Sequence, residues 1–157
     1  MSGASACPES DATGGEGMLE AREESQYKVA VEIADRISKL EHMKEMSPDA
    51  IVGSGDTLGR FLASRVRLKT NQIRRFLDAV GRIRAQSATQ PATAFRECAM
   101  LLKPHLAYAA GRHDEVKPLM IALGPCMDRV WDREDFVGLT RFLDCILAYH
   151  RFYGGRD

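Results

Sequence analysis

TNQIRRFLDAVGRIR, residues Thr70 to Arg84, is the most regular stretch of the chain. Ile73, Phe76, Leu77, Val80 and Ile83 recur at the helical period and form one apolar stripe, so the segment predicts an amphipathic helix turned inward to a core. Thr70 or Asn71 can cap its start. The same period fixes the outer side. Asn71, Arg75 and Arg82 point away from the stripe, and Arg74 lies on a flank where Asp78, four residues on, can partly neutralise it. Arg75 and Arg82 stand about 10 Å apart along the axis, which suits contacts to phosphates of a single strand.

Other segments read as helix too. Val29, Ile33, Ile37 and Leu40 share one face of a segment from about Leu19 to Met46, which Pro48 and the GSGD run at Gly53 to Asp56 should end. A short helix carrying Leu58, Phe61 and Leu62 is expected next, with a break near Arg67. QSATQPAT, residues 86 to 93, reads as a turn. Thr93 can then cap a helix through Cys98, Leu101, Leu102 and Leu106, which Pro104 should kink or split and Gly111 should close. Asp114 opens a segment through Val116, Leu119, Met120 and Leu123 that Gly124 and Pro125 should halt. The last helix starts near Asp132 or Glu134, turns Phe136, Leu139, Leu143, Ile146, Leu147 and His150 inward, and stops at Gly154 and Gly155. With no alternating pattern and no internal repeat, the fold class is all-α: a compact bundle of about five to six helices over residues 19–157. Residues 1–18, rich in Gly, Ser and acid with little to bury, are expected to form a disordered arm.

The formal net charge is zero, yet the charges are sorted along the chain. From Arg60 to Arg112 there are eleven basic residues against two acids, Asp78 and Glu97, a net charge of +9. Residues 1 to 26 carry −5. A cationic block of this kind suits a polyanion, because clustered Lys and Arg displace counterions from a phosphate backbone. Charge alone fits a solvated helix face equally well.

Composition and motifs exclude several classes. At 157 residues the chain suits one domain, and no apolar run approaches the length that spans a bilayer, so the protein is expected to be cytoplasmic with no membrane partner. Cys7, Cys98, Cys126 and Cys145 are scattered, which argues against a zinc site or a disulfide framework and for reduced thiols, three of them core fillers. No metal or cofactor is expected. His42 falls on a polar helix surface, His105 and His150 lie near apolar stripes where structural hydrogen bonding is their ordinary role, and His113 beside Asp114 has no nucleophile motif near it. The chain therefore reads as no enzyme. Tyr108 and Tyr149 are open to core packing or to base stacking.

Three stretches together resemble one family, the small helical subunit of type III-A CRISPR effector complexes (the Csm small subunit). They are LKTNQIRRFLDAV at Leu68 to Val80, with Thr70, Gln72, Ile73 and Arg74 in a Thr-x-Gln-Ile-Arg start; LKPHLAYAAGRH at Leu102 to His113; and FLDCILAYHRFYGG at Phe142 to Gly155. The resemblance implies a non-catalytic RNA-binding protein, stacked in several copies along the guide RNA and target RNA, beside other subunits that do the chemistry. Carried over by position, Gln72, Arg74 and Arg75 would meet phosphate or sugar, with Lys69 beside them, and Lys103 and Arg112 would extend that surface. Arg151 is a further candidate, and Arg82 comes from the helical wheel alone. The acidic arm has no counterpart in the family, and Cys145 stands where an Ala or acid is more usual. It could also fold back on the basic face as an RNA mimic. Two other readings remain open on the residues. Ile73 to Arg84 could be the recognition helix of a DNA-binding regulator, or the basic face could meet an acidic protein in an assembly adaptor.

Overall fold

The structure, a computed structural model, describes Met18 and residues 26–157. The arm expected over residues 1–18 lies outside the described residues apart from Met18, as do residues 19–25. Among the described residues there are six α-helices and no strand: α1 Lys28–Ser38, α2 Pro48–Phe61, α3 Arg74–Gln86, α4 Ala94–Arg112, α5 Lys117–Asp128 and α6 Arg133–Phe152. The all-α bundle is as expected. α6 packs along α2, α1 lies across α5, α5 leans on α4, and α4 carries α3 on the outer flank.

α1 ends at Ser38, earlier than its stripe suggested, because another part of the chain caps it. The guanidinium of Arg129 donates to the carbonyls of Ser38 and Leu40, both at 2.7 Å, and of Pro125 at 2.9 Å. Those bonds satisfy acceptors that a further helical turn would otherwise have used. Pro48, expected to end a helix, begins one. It occupies the first turn of α2, where a missing N–H costs nothing, and Ser47 caps that end by accepting from the Ala50 N–H at 3.2 Å.

The GSGD run does not break α2, which continues as one helix to Phe61 and then through a widened turn, Leu62–Val66. Gly55 and Gly59 face α6 so closely that a methyl group on Gly55 would sit 2.6 Å from the Cys145 Sγ. One on Gly59 would sit 2.7 Å from the Tyr149 Cβ and 2.8 Å from the Ile146 carbonyl oxygen. The glycines are a contact surface, and the packing they allow outweighs their poor helix propensity. The break at Arg67 is where the sequence put it, in a left-handed conformation with φ 59°.

Two more expected interruptions are absent. α4 runs unbroken through Pro104, whose ring is exposed, so the carbonyl it leaves unpaired can face water. α4 ends at Arg112, one residue past Gly111. Its buried face is Phe95, Ala99, Leu102, Leu106, Ala109 and Ala110; Leu101, placed on the inner stripe by spacing, is 61% exposed. α5 passes through Gly124 and Pro125 because Cys126 and Met127 beyond them are buried in the core. The burial also pushes the Cys126 thiol well above its usual range, so it stays protonated. Cys98 and Cys145 are only half-buried. Thr93 makes no side-chain cap for α4.

α6 starts as expected, with the Asp132 carboxylate accepting from the Asp135 N–H at 2.9 Å. Asp135 is itself fully buried. It accepts from His42 Nδ1 at 2.8 Å, the Lys44 N–H at 3.0 Å and the Trp131 N–H at 3.1 Å, which fastens the loop after α1 to α6. His42 is thus a loop residue tied to a buried carboxylate, not a residue of a polar helix surface. Asp135 holds the His42 pKa above its ordinary value. His42, Asp132 and Asp135 converge closely, but their oxygens already accept donors that include the Lys44 ammonium, 2.8 Å from Asp132.

The C-terminal end is fixed in a comparable way. His150, 1% exposed, donates from Nε2 to the Leu68 carbonyl at 2.7 Å. Gly154 turns the chain with φ 88°, and Gly155 lies flat on the His150 ring, where a Cβ would come within 2.2 Å of it. The tail then pairs with residues 69–70: the Thr70 N–H donates to the Arg156 carbonyl at 3.0 Å, and the Thr70 hydroxyl to Asp157 at 2.9 Å. Thr70 therefore binds the tail and does not cap the helix, and no side-chain cap starts α3.

Two predictions follow from these contacts. Gly59→Ala is expected to cost about 1–3 kcal/mol, since the new methyl meets backbone that cannot move aside, whereas Gly53→Ala, which meets nothing within 4 Å, is expected to stabilise α2; urea unfolding of both variants checks this. For His42, whose folded pKa is raised, the stabilising bond to Asp135 is complete below the ordinary histidine pKa and fades as pH rises through the folded value. Denaturation midpoints measured across neutral pH should fall for the parent and stay level for His42→Gln.

Candidate nucleic-acid interface

α3 and α4 lie side by side on the outer flank, with Ile73, Phe76, Ala79 and Val80 of the α3 segment buried beneath them. The stripe sends its basic residues outward, so Arg74, Arg75 and Arg82 are exposed. No described carboxylate pairs with them, and the expected Arg74–Asp78 ion pair does not form. α4 supplies the complement. Tyr108 is 52% exposed, its ring flanked by the guanidinium of Arg75 at 5.5 Å and that of Arg112 at 5.9 Å, and its hydroxyl accepts from Arg112 at 3.3 Å. Two arginines from different helices thus share one aromatic ring. They hold the Tyr108 phenol below its usual pKa, Arg112 more strongly than Arg75. The helix surface is open at Gly81 of α3 and at Gly111 of α4, where a methyl would meet nothing within 4 Å.

The remaining candidates are divided. Lys69 is exposed at the start of the 3-10 turn Thr70–Ile73 that leads into α3. The Gln72 side-chain oxygen accepts from the Lys69 N–H at 2.9 Å, so it secures the turn and leaves only its NH2 group outward. Lys103 forms an ion pair with Asp128 of α5. It stands nine residues before Arg112, about two and a half turns, and so projects from the opposite side of α4. Arg151 reaches Asp157 at 3.6 Å and the Gly155 carbonyl at 3.4 Å.

Other members of the basic block are used internally. Arg84 pairs with Asp144 at 3.1 Å. Arg96 stacks 4.0 Å above the Trp131 ring and donates to the carbonyls of Asp128 and Val130. Arg60 donates to the Tyr153 hydroxyl at 3.0 Å, which donates in turn to Asp56 at 2.6 Å. What folding leaves uncompensated is narrower than the charge count implied: Arg74, Arg75, Arg82 and Arg112 on the α3–α4 flank, Lys69 and Arg67 at its approach, and Arg65, which lies apart from them beside Asp114 and Glu115. Of the two tyrosines the sequence left undecided, Tyr149 is half-buried against Tyr153 and Tyr108 is the one exposed here. Its spacing of four from Arg112 was visible, but its meeting with Arg75 depends on how two helices cross.

A family profile for Csm2 of type III-A matches residues 45–156, from the loop before α2 to the tail. The chain belongs to the Csm2 family. It is similar to the CRISPR system Cms protein Csm2 of Streptococcus thermophilus, 28% identical over 104 residues that span 65% of this chain and 82% of that protein. The protein is accordingly a small subunit of a type III-A CRISPR complex, with the other subunits of that complex as partners. Helix α1 lies before the Csm2 match, although it packs on α5 within it. Among the described residues no helix is long and apolar enough to cross a membrane.

The first and third Csm-like motifs have structural work as well as charge. Thr70 and Gln72 of the first hold the tail and the turn, and His150 and Gly155 of the third form the joint that receives Leu68. The arginines between those joints, Arg74, Arg75 and Arg82, take no part in either of them. Arg112→Gln is expected to return the Tyr108 phenol toward its ordinary pKa, with Arg75→Gln doing so to a smaller extent; the Tyr108 ring signals in an NMR pH titration check the order.

Proposed function

We propose that this small subunit is a non-catalytic RNA-binding protein that contacts phosphates of the guide RNA–target RNA duplex through the α3–α4 flank. The observation that carries this reading is the Arg75–Tyr108–Arg112 cluster. Guanidinium groups match phosphate geometry in two-pronged fashion, and an exposed aromatic ring between them adds a face for a ribose or a base. Arg74 and Arg82 extend the same helix, Lys69 and Gln72 lie at its start, and Arg82 is about two turns from Arg75. Lys103 and Arg151 belong to the proposal in weaker form, because each would have to exchange its carboxylate for a phosphate.

Phosphate contacts set position without reading sequence, and in a guide-directed complex the base pairing reads it. Such contacts are individually weak. Several copies stacked along one strand make each later contact effectively intramolecular, which turns modest attraction into stable retention. A predominantly cationic flank suits that arrangement better than a pocket for a single base.

Arg75→Ala with Arg112→Ala in the full chain is expected to weaken binding of a labelled single-stranded RNA of any sequence. The dependence of log affinity on log salt should become shallower by about 1 to 1.5, while the unfolding midpoint stays close to that of the parent. Anisotropy titrations over a range of salt check both. Unchanged affinity and slope in the double variant would remove the α3–α4 flank from the mechanism.

A further inference from the structure

At the approach to α3, Arg67 and Lys69 meet a third cation, Arg156 of the tail. Arg67, Leu68 and Lys69 line a cleft of about 420 Å³ together with Gly154, Gly155 and Arg156. It carries three cations and no acid among its lining residues. None of the three pairs with a described carboxylate; the adjacent Asp157 is engaged by Thr70 and by Arg151. A larger hollow, about 610 Å³ between α1 and the widened turn after α2, sets Lys28 and Arg65 against Asp114 and Glu115. That mixture has no preference for an anion. The smaller cleft does.

The cations are held by backbone, not by one another. The Leu68 N–H donates to the Leu62 carbonyl at 2.9 Å, the Thr70 N–H to the Arg156 carbonyl at 3.0 Å, and the Gly155 N–H to the His150 carbonyl at 2.8 Å. His150 closes the frame from beneath through the Leu68 carbonyl at 2.7 Å. The side chains of Arg67, Lys69 and Arg156 take no part in this frame and project from fixed points. Three like charges set round one cleft repel each other until an anion enters, and a rigid frame lowers the ordering cost when it does. Arg67 adds a further sign. Its φ of 59° is one that glycine adopts freely and arginine does not, so the chain keeps a guanidinium at a position its backbone disfavours.

We propose that this cleft is a second strand-binding site, in which Arg67, Lys69 and Arg156 grip a phosphodiester of an RNA strand before it passes to Arg75 and Arg112. It rests on the RNA-binding reading and extends it to residues outside the α3–α4 flank. Lys69 stands about 10 Å before Arg75 along the chain's helical path, so one strand can occupy both. The C-terminal tail thereby becomes part of the binding surface as well as a clasp.

The frame makes the test clean. Arg67→Gly removes a charge and relieves the backbone, while Arg156→Ala leaves the carbonyl that holds Thr70, so both variants should fold. The full-length parent, the cleft variant (Arg67→Gly with Arg156→Ala) and the flank variant (Arg75→Ala with Arg112→Ala) are titrated with a labelled oligouridylate at several salt concentrations. The cleft variant is expected to lose about tenfold in affinity near 0.1 M salt and about 0.7 in salt slope, the contribution of one phosphate of a single strand. Amide signals of residues 67–69 and 154–156 in the parent should shift with the oligouridylate. A cleft variant that binds like the parent, beside a flank variant that does not, would overturn the cleft and leave the RNA reading standing. No salt-dependent binding by the parent would overturn both. Inorganic phosphate that shifts the same amides at the same concentration as the oligouridylate would reduce the cleft to a single-anion site and overturn the strand proposal.

Discussion

Helix α2 reaches α6 through two glycines, and the rest of the molecule is arranged around that contact. Gly55 and Gly59 remove the Cβ atoms that would otherwise hold the axes apart, so Cys145, Ile146 and Tyr149 of α6 lie directly on the α2 backbone. Dense backbone packing leaves little room for sliding, which fixes where each end of α6 lies relative to everything α2 leads into. The N-terminal end presents Asp135 to the loop after α1. The C-terminal end presents His150 to Leu68. Both joints are polar, buried and satisfied, and groups of that kind specify one arrangement because any other strands them without partners.

This geometry sorts the basic residues. A helix wheel can say that an arginine points outward, yet outward from one helix is often inward to its neighbour. Arg96 points at Trp131, Arg84 at Asp144, Lys103 at Asp128 and Arg60 at Tyr153. These are bonds that position elements, and being partly exposed they contribute modestly to stability. Within the basic block, Arg74, Arg75, Arg82 and Arg112 lack carboxylates where α3 and α4 form the outer flank, and Arg67 and Lys69 lack them where the tail meets the approach to α3. Charge that remains unneutralised after folding is the charge a polyanion can use.

The features that make the chain look like a Csm small subunit are in large part fastening points. Thr70, Gln72, His150 and Gly155 act on backbone groups a few residues or a whole chain apart, and their exchange would loosen the start of α3 before it touched any ligand. On the proposed RNA-binding reading, holding the start of α3 also serves the ligand, because the spacing from Lys69 to Arg75 suits a strand only if the turn between them is rigid.

Periodic burial was legible without coordinates. The stripe of Ile73, Phe76 and Val80, the inward face of α6 from Phe136 to His150, the Asp132 cap, the break at Arg67 and the stop at Gly154 all follow from local rules, because each depends on residues within one or two turns. The stops placed at Pro48, Gly53 to Asp56, Pro104 and Gly124–Pro125 were not real ones: Pro48 suits a first turn, exposed Pro104 can leave its carbonyl to water, and the glycines of α2 and the core residues beyond Pro125 gain more from packing than propensity takes away. The cationic block was visible as composition, and Arg75 and Arg82 as its outward members. Which cations stay free, that Tyr108 lies between two of them, and that Arg67 and Arg156 share a cleft were decided only by tertiary structure. Those facts are distances between residues far apart in the chain, and a sequence sets such distances only through the packing of the whole fold.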